Sequence, residues 1–240
     1  MHVASTPAVI AFVIAASSGA RLIAQVPSAR ILNAPFTATS TIVRNADGKI
    51  GIQTFYLARA SNGSSYSAES GTNGRVFRIT IVDVPNARTI TLTPNPSSHT
   101  YTEVPIPHGT LRTLTTQQVL DGLAEMNQNY IDQPDRDHSG IAYHITSLGQ
   151  TQEEGMILFG DRQELTFKNG DRRTIETWHS NLGIEMSARV DDPSKKITSV
   201  KSVTNLVRKE PDPKLFEIPA EYLPHPDPHS MPRPSSSPAM

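Results

Sequence analysis

Apolar and polar residues alternate along many short stretches of this chain, most clearly over residues 77–81, 88–92, 141–146 and 184–190. Successive side chains of a strand point to opposite faces of a sheet, so each stretch predicts a strand with one apolar face. Clusters rich in Asn, Gly, Asp and Pro separate the stretches and predict short turns. One solvated face per strand is typical of antiparallel sheets and argues against a parallel, doubly wound fold.

One segment, near residues 115–127, departs from this alternation and predicts a helix. Thr115 stands three residues before Gln118, the spacing of an N-terminal capping box. The apolar side chains that follow at helical spacing are Val119, Leu120, Leu123 and Ala124. We interpret the helix as the cover of an apolar sheet face, and a lid over a cavity is the alternative. The fold class predicted is mainly β with minor α: a curved antiparallel sheet or half-open barrel packed on one short helix.

The two ends of the 240-residue chain differ from its middle. Residues 8–16 form an unbroken apolar run followed by small residues, which predicts a signal peptide over residues 1–25. That run is too short to cross a membrane as a helix. Residues 26–34 are read as a linker, residues 35–223 as a single antiparallel β domain, and residues 224–240, rich in proline, as a disordered tail.

Composition narrows the function further. A net charge of -1 supplies no basic field for nucleic acid or anionic lipid head groups, so no nucleic-acid partner is expected. The absence of cysteine excludes thiol nucleophiles, thiolate metal sites and a lipid-modified cysteine, so we expect no membrane anchor after signal removal. A protein localised to the periplasm or secreted follows from these features and the signal peptide.

The densest group of chemically active side chains lies between Asp132 and Ser139. Its spacing does not match a calcium-binding loop, which needs carboxylates at fixed positions and a closing glutamate. A serine hydrolase would need a sharply presented nucleophile, and no G-x-S-x-G motif occurs. We therefore predict no catalytic residues, no metal site and no cofactor, and interpret the protein as a non-enzyme.

The C-terminal third carries a recognisable series of motifs. They are E-T-W-H-S-N-L-G at 176–183, D-P at 192–193 and E-P-D-P-K-L-F-E-I-P-A-E-Y at 210–222. This series resembles a widespread group of uncharacterised exported bacterial proteins that end in an E-P-D-P-x-L-F-x-I-P-x-x-Y motif. That group is distantly similar to the lipoprotein-carrier superfamily of LolA and LolB. The resemblance implies an incomplete antiparallel barrel that wraps helices and holds acyl chains, and it places no ligand residue on this sequence.

Two functional hypotheses follow. In the first, the concave side of the sheet binds a lipid or another apolar molecule. The ligand-cavity candidates are Phe77, Ile79, Ile90, Leu92, Leu120, Leu123 and Met186. In the second, the protein is an envelope interaction module with a closed core, whose edge strands or proline-rich tail bind a protein partner.

Overall fold

The computed structural model describes residues 29–95, 98–110, 112–128, 131–133 and 141–225. The predicted signal peptide, most of the cluster at 132–139 and the tail beyond residue 225 lie outside these residues. In the described part, one α-helix, α1, spans Thr116–Gln128. The strands are β1 (Ala29–Ile31), β2 (Phe36–Ala46), β3 (Lys49–Arg59), β4 (Ser65–Ser70), β5 (Val76–Asp83), β6 (Arg88–Asn95), β7 (Ser98–Pro105), β8 (Arg112–Leu114), β9 (Ile131–Gln133), β10 (Ile141–Glu153), β11 (Met156–Phe167), β12 (Arg172–Ser180), β13 (Glu185–Asp192), β14 (Ile197–Val207) and β15 (Leu223–Pro224).

Thirteen of these strands form one curved sheet in the order β15-β7-β6-β5-β4-β3-β2-β14-β13-β12-β11-β10-β9. It consists of two antiparallel meanders, β2–β7 and β9–β14, which meet where β2 pairs with β14. β15 pairs with β7 in parallel, and β1 and β8 form a separate parallel pair. The two edges of the sheet do not pair with each other, so the sheet stays open. The fold class predicted from the alternation is confirmed.

The sheet has two faces, which the strand register identifies. On β2, Ser40 lies opposite Phe55 of β3 and Val203 of β14, and these side chains share one face with Phe36 and Ala38. We call it the helix-side face, because α1 packs in the same apolar cluster as Phe36 and Ala38. The neighbouring odd-numbered residues of β2 point to the other side, which we call the opposite face.

The first apolar cluster, the helix cluster, joins α1 to the middle of the sheet. Its buried side chains include Phe36, Ala38, Val119, Leu123, Phe159 and Met186. The helix begins at the predicted capping box: the Thr115 hydroxyl accepts a hydrogen bond from the Gln118 N–H at 3.2 Å. The Gln118 side chain accepts one from the Thr115 N–H at 2.9 Å. These two bonds satisfy donors that a helix leaves free, which fixes the start of α1.

The second apolar cluster, the C-terminal cluster, lies on the opposite face. Strand pairing shows which residues lie on this face. Starting from Thr39 on β2, the paired residues on successive strands are Tyr56, Ala68, Ile79, Leu92 and Tyr101. Phe216, Ile218 and Tyr222, which follow β14 in the chain, pack there against Ile81, Ile90 and Leu92. The chain after β14 thus packs on the opposite face of one half of the sheet, while α1 packs on the helix-side face near β10 and β11.

Candidate ligand-binding site

The seven predicted ligand-cavity residues do not come together in one place. Leu120, Leu123 and Met186 belong to the helix cluster. Ile79, Ile90 and Leu92 belong to the C-terminal cluster on the opposite face. Phe77 belongs to neither cluster, and its side chain is 43% exposed. The structure therefore divides six of the seven residues into two groups on different faces of the sheet, and Phe77 lies outside both groups.

The two groups also differ in how they are covered. Ile90 and Leu92 are 0% and 1% exposed beneath the C-terminal segment that carries Tyr222. The Tyr222 ring meets His99 edge-on, with ring centroids 5.1 Å apart. This group already has an apolar cover from the chain itself. The helix-side face is the better candidate for a ligand, because a buried hydroxyl without a described partner and several titratable side chains lie beside its apolar side chains.

One of these polar groups is the Ser40 hydroxyl, in the centre of the helix-side face. Ser40 is 2% exposed, and both of its cross-strand neighbours, Phe55 and Val203, are apolar. Among the described residues its Oγ has no hydrogen-bond partner. A buried hydroxyl without a partner costs about 1 to 3 kcal/mol. A polar atom supplied by a ligand would remove that cost.

A patch of polar side chains adjoins Ser40 on the same face, and we call it the polar patch. It consists of Asp161, Thr177, His179, Glu185 and Lys201. Strand pairing aligns five residues on five adjacent strands, starting at β2: Ile42, Lys201, Ala188, Thr177 and Asp161. The patch therefore lies beside β2 on the same face. Lys201 Nζ lies 2.8 Å from Glu185 Oε1. The Thr177 hydroxyl donates to Asp161 Oδ1 at 2.7 Å.

The surroundings of His179, in the polar patch, shift its pKa. It lies directly opposite Glu185 in the pairing of β12 with β13. Burial lowers the pKa of His179, the nearby carboxylates of Glu185 and Asp161 act against this shift, and the Lys201 ammonium adds to it. A neutral imidazole can both donate and accept a hydrogen bond, which suits a polar ligand group of either kind.

Arg59 closes the end of the helix-side face nearest Phe36. It is 6% exposed, and its guanidinium donates to the carbonyl oxygens of Ala34 at 2.9 Å and Leu182 at 2.7 Å. The guanidinium carbon also lies 4.8 Å from the centre of the Phe36 ring. Burial lowers the pKa of Arg59 to about 10. These bonds tie the β12–β13 turn to β3 and hold this end of the face in place.

Sequence reasoning missed Ser40 and the polar patch. The alternation of β12 does place Thr177 and His179 on one face of that strand. It does not show that Asp161, Glu185 and Lys201, from three other strands, lie beside them. Strand pairing alone supplies that information.

Across the described ranges, no three His, Asp or Glu side chains are grouped so that they could hold a metal ion. In the same ranges, no helix combines the length and the apolar character that a membrane crossing needs.

Comparison with known proteins gives the following result. No family model matches the sequence, and no curated protein is significantly similar to it. Solved structures that resemble the chain include MucB, at 14% identity and a TM-score of 0.40, covering 79% of this chain and 58% of that one. They also include a LolA superfamily protein from Nitrosomonas europaea, at 11% identity and a TM-score of 0.34, covering 79% and 92%.

A third resembling structure is a putative outer membrane lipoprotein-sorting protein domain from Vibrio parahaemolyticus. It has 7% identity and a TM-score of 0.25, and the match covers 72% of this chain and 84% of that one. This chain spans a little over half of the MucB chain. Similarity at this level transfers neither a ligand nor a partner to this protein.

Proposed function

We propose that this protein is a non-catalytic exported binding protein that holds an amphiphilic molecule on its helix-side face. The apolar part of the ligand packs against the helix cluster, and its polar part meets Ser40 and the polar patch. The observation that carries the proposal is the buried Ser40 hydroxyl, which lacks a partner among the described residues. Export rests on the apolar run at residues 8–16, and the periplasm or the medium is the expected location.

The proposal limits the ligand chemistry. A purely apolar molecule would leave the buried Ser40 hydroxyl without a hydrogen-bond partner, which is unfavourable. A strongly charged head group would meet the Lys201–Glu185 ion pair, which is already internally neutralised. The best match is a long apolar molecule with one neutral or singly charged polar end, such as a fatty acid or a monoacyl lipid.

The first test is whether the purified protein carries or takes up such a molecule. Organic extraction followed by mass spectrometry should release a lipid, and a fluorescent fatty-acid probe should bind. Ser40→Ala removes the unpaired hydroxyl, so we expect the ligand-free protein to become more stable by about 1 kcal/mol. The same change should weaken probe binding about fivefold, the loss of one hydrogen bond.

The matched control is Thr41→Ala, one residue along β2 and on the opposite face. It should leave the affinity for the probe unchanged. If neither extraction nor the probe detects a ligand, the proposal fails. It also fails if Ser40→Ala and Thr41→Ala change the affinity equally.

A second candidate function, an interaction module with a closed core, is favoured by one observation. Ile81, Ile90 and Leu92 are almost completely buried beneath the chain's own C-terminal segment, so half of the sheet needs no ligand to cover it. In this case the chain beyond His225 would bind the partner. Removal of residues 226–240 should abolish capture of that partner and leave the melting temperature unchanged. An unaltered set of captured proteins contradicts this second function.

A further inference from the structure

The opposite face of the sheet, away from α1, carries two neighbouring rows of side chains that cross six strands from β3 to β11. The first row is Ile52, Val43, Val200, Arg189, Glu176 and Arg162. The second row lies two residues further along each strand, and so on the same face. It consists of Ile50, Asn45, Thr198, Asp191, Thr174 and Glu164. This surface is distinct from the proposed ligand face, and we call it the two-row face.

One end of the two-row face is apolar and exposed. Ile50 is 67% exposed, Val200 49%, Ile52 41% and Val43 39%. Val43 lies directly opposite both Val200 and Ile52, so these side chains form one patch rather than scattered positions. Contiguous exposed apolar side chains commonly mark an interaction site.

The other end is charged, and the two rows differ in sign. The first row contributes the cations Arg162 and Arg189, together with Glu176, whose Oε1 lies 2.6 Å from Arg162 Nη2. The second row contributes the anions Glu164 and Asp191. Arg189 and Asp191 form no ion pair with any other described residue. The charged residues line an open depression of about 280 Å³.

These charges make the two-row face complementary to itself. A two-fold axis that runs between the rows, perpendicular to the strands, exchanges one row with the other. It places Arg189 opposite Asp191 of a second molecule and Arg162 opposite Glu164, each pair occurring twice. The same operation places Ile52 opposite Ile50, again twice. We propose that the two-row face binds a second copy of this chain and forms a symmetric dimer in which two sheets pack face to face.

The expected size of the contact sets the expected affinity. Six strands spaced about 4.8 Å apart and two rows about 7 Å apart give a patch of roughly 29 by 14 Å, or roughly 400 Å² per copy. A standard stable interface buries about 800 Å² per partner. A patch of half that size is typical of weak, transient contacts, so we expect a weak dimer that salt weakens further by screening its charges.

Sedimentation velocity of the full chain between about 1 and 300 µM, at low and high salt, tests the proposal. We expect a dimer that grows with concentration and weakens with salt. Arg189→Asp should raise the dissociation constant of the dimer at least tenfold. In this variant the new carboxylate at position 189 of each copy faces Asp191 of the other copy. Asp191→Arg should do the same with two guanidiniums.

The double variant, Arg189→Asp with Asp191→Arg, rebuilds each pair in the reverse direction and should restore the dimer. This rescue is not expected for any interface that lacks the two-fold pairing. Arg75→Asp, in the exposed turn between β4 and β5, is the charge-matched control and should change nothing. Ile50→Glu tests the apolar end and should also abolish the dimer.

Three results overturn the proposal. If the chain stays monomeric up to 300 µM, the two-row face does not bind a second copy. A dimer that survives Arg189→Asp and Ile50→Glu uses a different surface. A double variant that remains monomeric, although each variant keeps the parent's circular dichroism spectrum and melting temperature, excludes the Arg189–Asp191 pairing. None of these results bears on the proposed ligand site. Binding of the fatty-acid probe to the same variants tests that site separately.

Discussion

Replacement of Gly160 by alanine tests the packing around the one tryptophan of this chain. Gly160 on β11 lies directly opposite Trp178 on β12. A Cβ atom at position 160 would come within 2.8 to 2.9 Å of three atoms of the Trp178 indole. Favourable contacts between carbon atoms start at about 3.5 Å, so the ring would have to move by about 0.7 Å. The absence of a side chain at position 160 lets the indole pack directly against the backbone of Gly160.

The cost of that movement follows from two opposing terms. Overpacking of a well-packed site costs about 1 to 3 kcal/mol. Replacement of a strand glycine by alanine recovers about 0.5 to 1 kcal/mol of backbone entropy. The net is a loss of about 0 to 2.5 kcal/mol, and we expect Gly160→Ala to lower the free energy of unfolding by about 1 kcal/mol, near the middle of that range. With a urea dependence of about 2 kcal/mol per molar, the midpoint of unfolding falls by about 0.5 M.

Urea unfolding followed by tryptophan fluorescence measures both effects, since Trp178 is the probe as well as the clashing group. The emission maximum of native Gly160→Ala should shift to longer wavelength as the ring moves towards solvent. The matched control is Gly51→Ala on β3, where an added Cβ has no heavy atom within 4 Å. Gly51→Ala should be neutral or slightly stabilising. Equal midpoints and equal emission spectra for the two variants would refute the packing described for Trp178.

Two further predictions concern ionisable groups. Because burial lowers the pKa of His179 from 6.5, the unfolded chain binds a proton at pH values where the native chain does not. The free energy of unfolding should therefore fall as the pH drops from about 6.5 towards the native pKa. His179→Gln should flatten this dependence in urea titrations between pH 7.5 and 5, while His108→Gln, in an exposed loop, should preserve it. Arg59→Met leaves two carbonyl oxygens without their donor and should cost about 2 kcal/mol. A melting temperature no lower than that of Arg75→Met would contradict the role given to Arg59.

Local patterns were sufficient for many elements of this fold, although β1 (Ala29–Ile31) lies within the residues that were read as a linker. Alternation over 184–190 predicted a strand, and Glu185–Asp192 is β13. The spacing of Thr115 and Gln118 predicted a capping box, and both of its hydrogen bonds are present. Such patterns succeed because turns, caps and strand faces are set by residues within a few positions of one another.

The candidate site was less accessible to sequence reasoning, and the reason lies in the sheet. Alternation shows that Ile79 and Ile81 share a face of β5, and that Ile90 and Leu92 share a face of β6. It cannot show which face of the assembled sheet that is, because this depends on the pairing of every strand between β5 and α1. The prediction grouped these residues with Leu120 and Leu123, as though the sheet had a single apolar face.

In this protein different parts of the chain pack on the two faces of the sheet, and this division is the reason for placing the proposed ligand on the helix-side face. The residues after β14 place Phe216 and Tyr222 on the opposite face, so Ile90 and Leu92 are buried by the chain alone. On the helix-side face, Val119 and Leu123 of α1 pack in the helix cluster. On that second face the cover is not purely apolar packing, because Ser40 is buried there without a described partner. Under the proposed function, a polar atom of the ligand would supply the hydrogen bond that the Ser40 hydroxyl lacks, whereas a filled apolar interior would leave that hydroxyl without one.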